Sequence, residues 1–265
     1  MAAAPIAQGG KAAPAGHHAL VTGGGRGIGA AIARRLAADG LRVTVLGRRL
    51  DVVQALADEL PDRLHAVAAD VADAGQVAAA LAQARERFGP VQVLVNNAGQ
   101  AESAPFAKMD AALWQRMLDV NLTGTMLCTQ AALPDMLAAG WGRIVNVAST
   151  AGQVGYAYVS AYCAAKHGVI GMTRSLALEL AAKGITANAV CPGYTETDIV
   201  RESIERVVVK TGRSAEEARA EFVKSNPQGR LVQPQQVADA VAWLCSEGAG
   251  AVTGQSVSVS GGEVM

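Results

Sequence analysis

Apolar residues come in short dense runs, separated by longer stretches in which they recur every three or four positions. The runs Ala19–Thr22, Arg42–Leu46, Leu64–Ala68, Val91–Val95, Gly142–Val147, Thr186–Val190 and Ser256–Val259 have the length and β-branched content of strands. Between them, Ile28–Asp39, Leu50–Leu60, Ala74–Phe88, Ala111–Ala139, Ser160–Ala182 and Pro234–Ser246 carry the spacing of helices. Regular alternation of the two predicts an α/β fold, a doubly wound parallel sheet of about seven strands with helices on both faces. Two segments break the rhythm. Residues 1–17, rich in Ala, Gly and Pro, read as a flexible tail ahead of one domain over 18–265. Thr197–Arg230 is charged, helix-prone and far longer than an ordinary connection. Because it follows a strand end it reads as a lid over a site, with surface decoration as the alternative.

Charge and cysteine content narrow the partners. The 265 residues hold 23 basic and 23 acidic side chains, so no global field draws nucleic acid or an acidic membrane. Gly or a charge interrupts each apolar run before membrane-spanning length. Cys128, Cys163, Cys191 and Cys245 are scattered, which predicts reduced thiols, no metal site and a cytoplasmic location.

The first strand runs straight into Thr22-Gly23-Gly24-Gly25-Arg26-Gly27-Ile28-Gly29, where the first long helix opens. Glycines let a backbone turn tightly against a pyrophosphate, and a helix N-terminus offers it free N–H groups and a positive dipole. A lone glycine-rich run says little; between first strand and first helix of this pattern it predicts a dinucleotide. At the end of the second strand, where an acid would hold the ribose 2′-hydroxyl of NAD, stand Gly47, Arg48 and Arg49. With Arg26, these guanidiniums suit a 2′-phosphate and favour NADP(H) over NAD(H), unless they are solvated surface charges. Asp70 after the third strand either accepts the adenine amino group, with Val71 offering an amide, or caps the next turn. Asn97, Ala98 and Gly99 after the fourth strand leave room for a cofactor ribose, and the asparagines there can equally brace the sheet.

Tyr162 and Lys166 stand four apart in a predicted helix and so share one face. A free phenol titrates near ~10, so proton exchange near neutrality calls for a cation beside it. Lys166 is placed to be that cation, and a hydroxyl at Ser149 can hold a carbonyl oxygen.

In this order, Thr22-Gly23-x-x-x-Gly27-x-Gly29, Asn96-Asn97-Ala98-Gly99, Asn121, Ser149, Tyr162-x-x-x-Lys166 and Pro192-Gly193 resemble the short-chain dehydrogenase/reductase family, over nearly everything after residue 17. The resemblance implies a Rossmann fold and ketone reduction: hydride from NADPH, a proton from Tyr162, a hydrogen bond from Ser149. It implies that Lys166 binds the nicotinamide ribose and, with the oxidised ring, lowers the phenol pKa, while Asn121 holds a water on a proton relay. Pro192 and Gly193 would turn the chain over the nicotinamide, with a hydroxyl from Thr197 or the competing Thr195 near its carboxamide. Within the family the chain looks closest to 3-oxoacyl-thioester reductases and aromatic polyketide ketoreductases. That suggests a CoA- or carrier-bound ketone, with Arg201, Arg206, Lys210 and Arg213 either meeting carrier phosphates or merely solvated. Reduction of free ketones or oxidation of free alcohols is the alternative, and a dinucleotide-binding regulator without activity a more distant one. Relatives assemble as tetramers through the two long helices and the last strand, so a homotetramer is expected, with a dimer as the lesser form.

Overall fold

The computed structural model describes residues 15–265. The tail expected over 1–17 therefore lies mostly outside the described residues. Seven strands form one sheet: β1 (His18–Thr22), β2 (Arg42–Gly47), β3 (Leu64–Ala68), β4 (Val91–Asn96), β5 (Gly142–Val147), β6 (Ile185–Pro192) and β7 (Ser256–Val259). Their order across the sheet is β3-β2-β1-β4-β5-β6-β7, and every pairing is parallel. Parallel strands need crossovers, and the intervening segments supply them as helices: α1 (Gly27–Ala38), α2 (Leu50–Ala57), α3 (Ala74–Phe88), α4 (Ala111–Leu118), α5 (Gly124–Ala139), α6 (Ser160–Leu180), α7 (Asp198–Thr211), α8 (Ala215–Val223) and α9 (Pro234–Cys245).

Strand residues alternate between two cores. Ala19 and Val21 of β1 face a cluster built with Ile32 and Leu36 of α1, Leu56 of α2 and Val241 of α9. Leu20 faces the opposite cluster, with Leu81 of α3, Met136 of α5 and Leu180 of α6. Helices thus cover both faces, as the near-continuous apolar strands require. The chain turns to opposite sides after β1 and after β4, which sit side by side. A crevice opens at the carboxyl ends of such neighbours, and ligands of doubly wound sheets bind there.

The long helix expected over Ala111–Ala139 is interrupted. Between α4 and α5 the backbone widens into a π-helical turn over Asp119–Thr123. Asn121, fully buried at its centre, donates from Nδ2 to the carbonyls of Met117 and Gln100, both at 2.9 Å. Its Oδ1 accepts the Gln100 amide at 3.2 Å. A buried amide so satisfied ties the helix to the loop after β4 and offsets the loss of regular helical bonding. The segment Thr197–Arg230 folds as α7 and α8, and Ser214 starts α8 with a reciprocal capping box with Glu217.

Candidate active site

A single cleft of about 1210 Å³ runs along the carboxyl ends of β1, β4, β5 and β6 and under α7. At its β1 end, Gly23 (φ +62°) and Gly27 (φ +54°) take backbone conformations that favour glycine. A Cβ on Gly29 would fall 2.3 Å from the Gly23 carbonyl oxygen, so only glycine lets α1 rest on the turn. Arg26 precedes α1 in an extended conformation and gives it no side-chain cap, which leaves the first N–H groups for another acceptor. Asn97 braces the turn from β4: its Nδ2 donates to the carbonyls of Thr22 and Gly23 at 3.0 Å. Thr22 Oγ1 accepts the amides of Asn97 and Ala98, also at 3.0 Å. Asn96 behind it ties β4 to Thr129 and Asn146.

Gly23, Gly25, Arg26, Gly27, Ile28, Arg48, Arg49, Asp70, Val71, Asn97, Ala98 and Gly99 all line this part of the cleft. Arg48 and Arg49 are exposed, with no ion pair among the described residues. Arg26 stands 3.9 Å from Glu202 of α7, an open contact worth little in stability. Asp70 Oδ1 accepts the Ala72 amide at 3.0 Å, so it caps the turn while bordering the cleft.

At the β5 end lie Ser149, Tyr162 and Lys166. Tyr162 and Lys166 do share one face of α6, and the ammonium lies 5.6 Å from the centre of the phenol ring. Lys166 is buried and donates to the Val147 carbonyl at 2.8 Å. The Ser149 hydroxyl lies beside the phenol, and its Oγ accepts the Ala151 amide at 3.1 Å. Desolvation dominates the electrostatics of the pair. Burial pushes the Tyr162 phenol up to about 12, against a smaller lowering by Ser149, and pushes Lys166 down to about 8. Desolvation disfavours the charged form of each, and the ammonium faces the ring and a carbonyl rather than the hydroxyl.

Pro192, Gly193, Thr195 and Thr197 form the wall after β6. Thr195 donates to the Gly193 carbonyl at 2.9 Å, while Thr197 lies against Gly27 and bridges the two ends of the cleft. Two expected residues do not reach the cleft surface: Gly29 packs under the turn, and Asn121 sits behind Gly99 and Gln100. Sequence reasoning missed an aromatic wall in which Tyr194 meets Tyr156 edge-on at 6.3 Å and Phe222 of α8 at 5.1 Å. Glu263, from the last five residues, reaches this wall within the same chain and accepts the Tyr156 hydroxyl at 2.6 Å. Tyr158, bordering the same space, holds φ at +69°, rare for a bulky residue, and its carbonyl accepts the Ala104 amide at 2.8 Å.

The seven-stranded order, the glycine turn and the Tyr162–Lys166 face are joined by a direct match, and the chain belongs to the short-chain dehydrogenase family, whose model covers residues 17–207. It is 43% identical over 249 residues to a Streptomyces coelicolor protein named as a ketoacyl reductase, covering 92% of this chain and 95% of that protein. It is 44% identical over 248 residues to the cis-4-hydroxycyclohexanecarboxylate dehydrogenase of Sinomonas cyclohexanicum, with the same 92% and 95% coverage. Among solved structures, a single-substitution variant of the actinorhodin polyketide ketoreductase with NADPH superposes with a TM-score of 0.89 at 43% identity, over 93% of this chain and 97% of that one. Among the described residues no helix is long and apolar enough to cross a membrane, and no cluster of metal-binding side chains gathers.

Proposed function

We propose that the chain reduces a ketone to a secondary alcohol with NADPH, and that its ketone is a 3-oxoacyl thioester or a polyketide-like chain. The observation that carries this reading is one cleft with a glycine turn, an uncapped helix N-terminus and the exposed Arg48 and Arg49 at one end, and Ser149, Tyr162 and Lys166 at the other. The β1 end fits a dinucleotide phosphate: the turn has no room for added side chains, and the helix lacks a cap of its own. Arg26, Arg48 and Arg49 would hold the 2′-phosphate, Asp70 and Val71 the adenine, and Asn97, Ala98 and Gly99 the neighbouring ribose. Pro192, Gly193, Thr195 and Thr197 would border the nicotinamide.

NADPH supplies hydride to the carbonyl carbon when bound. Ser149 donates a hydrogen bond to the carbonyl oxygen and orients it. Tyr162 gives its phenolic proton to that oxygen as negative charge develops there. Its high pKa keeps the proton in place until an alkoxide, a stronger base, appears. Lys166 stands by in the same pocket to offset the phenolate charge and hold the nicotinamide ribose. Asn121 holds the loop after β4 against α4 and, in this reading, a water of the proton relay.

A second reading, oxidoreduction of a free ring alcohol or ketone, is favoured by the wall of Tyr156, Tyr194 and Phe222 and by the name of the Sinomonas relative. Absorbance at the NADPH band with acetoacetyl-CoA, a carrier-bound 3-oxoacyl chain and free cyclic ketones separates the two. Faster turnover of the thioesters supports the first, and equal or faster turnover of the free ketones favours the second. Assembly as a homotetramer goes with this reading, because Trp114, Met126, Leu137 and Leu178 leave apolar surface open on the long helices. Light scattering that gives a single-subunit mass at micromolar concentration would refute it. A cytoplasmic setting suits the four buried free cysteines.

A further inference from the structure

Behind the substrate side of the cleft, on the Tyr156 hydroxyl, stands a carboxylate that the reaction above does not use. Glu263 Oε1 accepts the Tyr156 hydroxyl at 2.6 Å. A phenol has one proton, and a carboxylate only accepts, so the Thr150 hydroxyl 2.9 Å away donates to the phenol oxygen. Thr150 is the neighbour of Ser149, which ties Glu263 to the reacting end through two side chains. Burial and this carboxylate raise the Tyr156 phenol above its usual range, and it stays a neutral donor. Gly193 makes room for the acid, since a Cβ there would fall 2.6 Å from Glu263 Oε2.

The last residues are shaped to deliver it. Gly261 (φ +67°) and Gly262 (φ +94°) turn the chain, and the Val264 amide donates to Ser260 Oγ at 3.3 Å. Gly261 lies against Asn226, which closes the α7–α8 segment by donating to the Arg230 carbonyl at 2.7 Å. On the cleft surface itself, which Glu263 does not reach, Arg206 and Lys210 of α7 stand with Glu102 and Asp198, and of these Arg206, Lys210 and Glu102 are exposed to solvent. The fixed charge behind the Tyr156 wall is negative.

We propose that Glu263 is a specificity-determining residue whose carboxylate, held behind Tyr156, makes the substrate half of the cleft accept uncharged ketones, esters and thioesters included, and reject ketones bearing a free carboxylate near the carbonyl. The inference rests on the ketone-reducing reading. Like charges within several ångströms in a partly buried site repel enough to shift relative affinity about tenfold, ~1.4 kcal/mol.

The test compares 3-oxobutanoate with its ethyl ester, which differ at one end in charge. In Glu263→Gln the ratio of kcat/KM for acid to that for ester rises about tenfold, chiefly through the KM of the acid, and in Glu263→Lys it rises further. Calorimetric binding of 3-hydroxybutanoate strengthens in parallel. In the unaltered protein the same ratio rises with ionic strength if Glu263 governs, and falls if Arg206 and Lys210 attract the acid. A ratio that stays within twofold in both folded variants, or falls with salt, overturns the proposal; the salt series decides alone if the variants do not fold. Reduction of the ester with an unmoved ratio removes this inference only. Reduction of neither compound, nor of any ketone or thioester, removes the ketone-reducing reading and this one with it.

Discussion

The two ends of the cleft are built from different material. At the β1 end the surface is mostly backbone: left-handed glycines, bare helix amides, and an asparagine whose amide holds the turn from behind. At the β6 end it is side chains, with Tyr156, Tyr194 and Phe222 meeting edge-on and a carboxylate from the last few residues behind them. Backbone geometry tolerates little change, because a Cβ added at Gly23 or Gly29 meets the main chain. Side-chain walls can be replaced without disturbing the sheet. One end is therefore suited to a constant partner and the other to a variable one.

Substitutions can break this contrast, and the largest effect is expected where the halves meet. Tyr162→Phe removes only the proton donor, so turnover should fall by about 10²–10⁴-fold while fluorescence titration still reports NADPH binding. Unchanged turnover would remove Tyr162 from the reaction. Gly29→Ala comes next: its Cβ would sit 2.3 Å from the Gly23 carbonyl oxygen, so the turn must move. We expect a loss of roughly 1–3 kcal/mol in thermal unfolding and weaker NADPH binding. A fully stable variant with normal binding would contradict the rigid-backbone view.

Arg48→Asp should shift the ratio of NADPH to NADH affinity by about tenfold or more, since an acid repels the 2′-phosphate and accepts from the ribose hydroxyl. No shift would leave Arg48 a solvated charge. On the side-chain half, Phe222→Ala should raise KM for a bulky ketone several-fold, with little change in melting temperature because the ring borders the cleft. A large loss of stability would make that wall structural. The smallest effect is expected for Tyr158→Gly, which relieves a left-handed backbone and should change stability by less than ~1 kcal/mol.

The same contrast explains what was legible in the sequence. Strand and helix periodicity is local, so the alternation from Ala19 to Val259 predicted the seven strands nearly residue for residue. The glycine turn and the four-residue step from Tyr162 to Lys166 are local patterns too, and both lie on the cleft. Tyr156 and Glu263 are 107 residues apart, and no periodicity links them. Tyr194 and Phe222 meet only because α8 folds back over the cleft. Proton affinities were equally hidden. Desolvation depends on everything packed around a group, and it raises the Tyr162 phenol while lowering Lys166.

The wide turn at Asp119–Thr123 has a consequence of its own. A π turn holds one residue more than an α-helical one, and each residue advances the helix by about 100°. Leu113 and Met117 before it and Cys128, Ala132 and Met136 after it all point inward because that extra residue absorbs the mismatch. Asn121 owes its position to a count of residues rather than to any single side chain. Removing one residue from the turn would leave a smooth helix and swing either its first or its second half out of register. Substitution scans, which change letters and never the count, would pass over the feature that aims Asn121; a scan of single-residue deletions would find it at once.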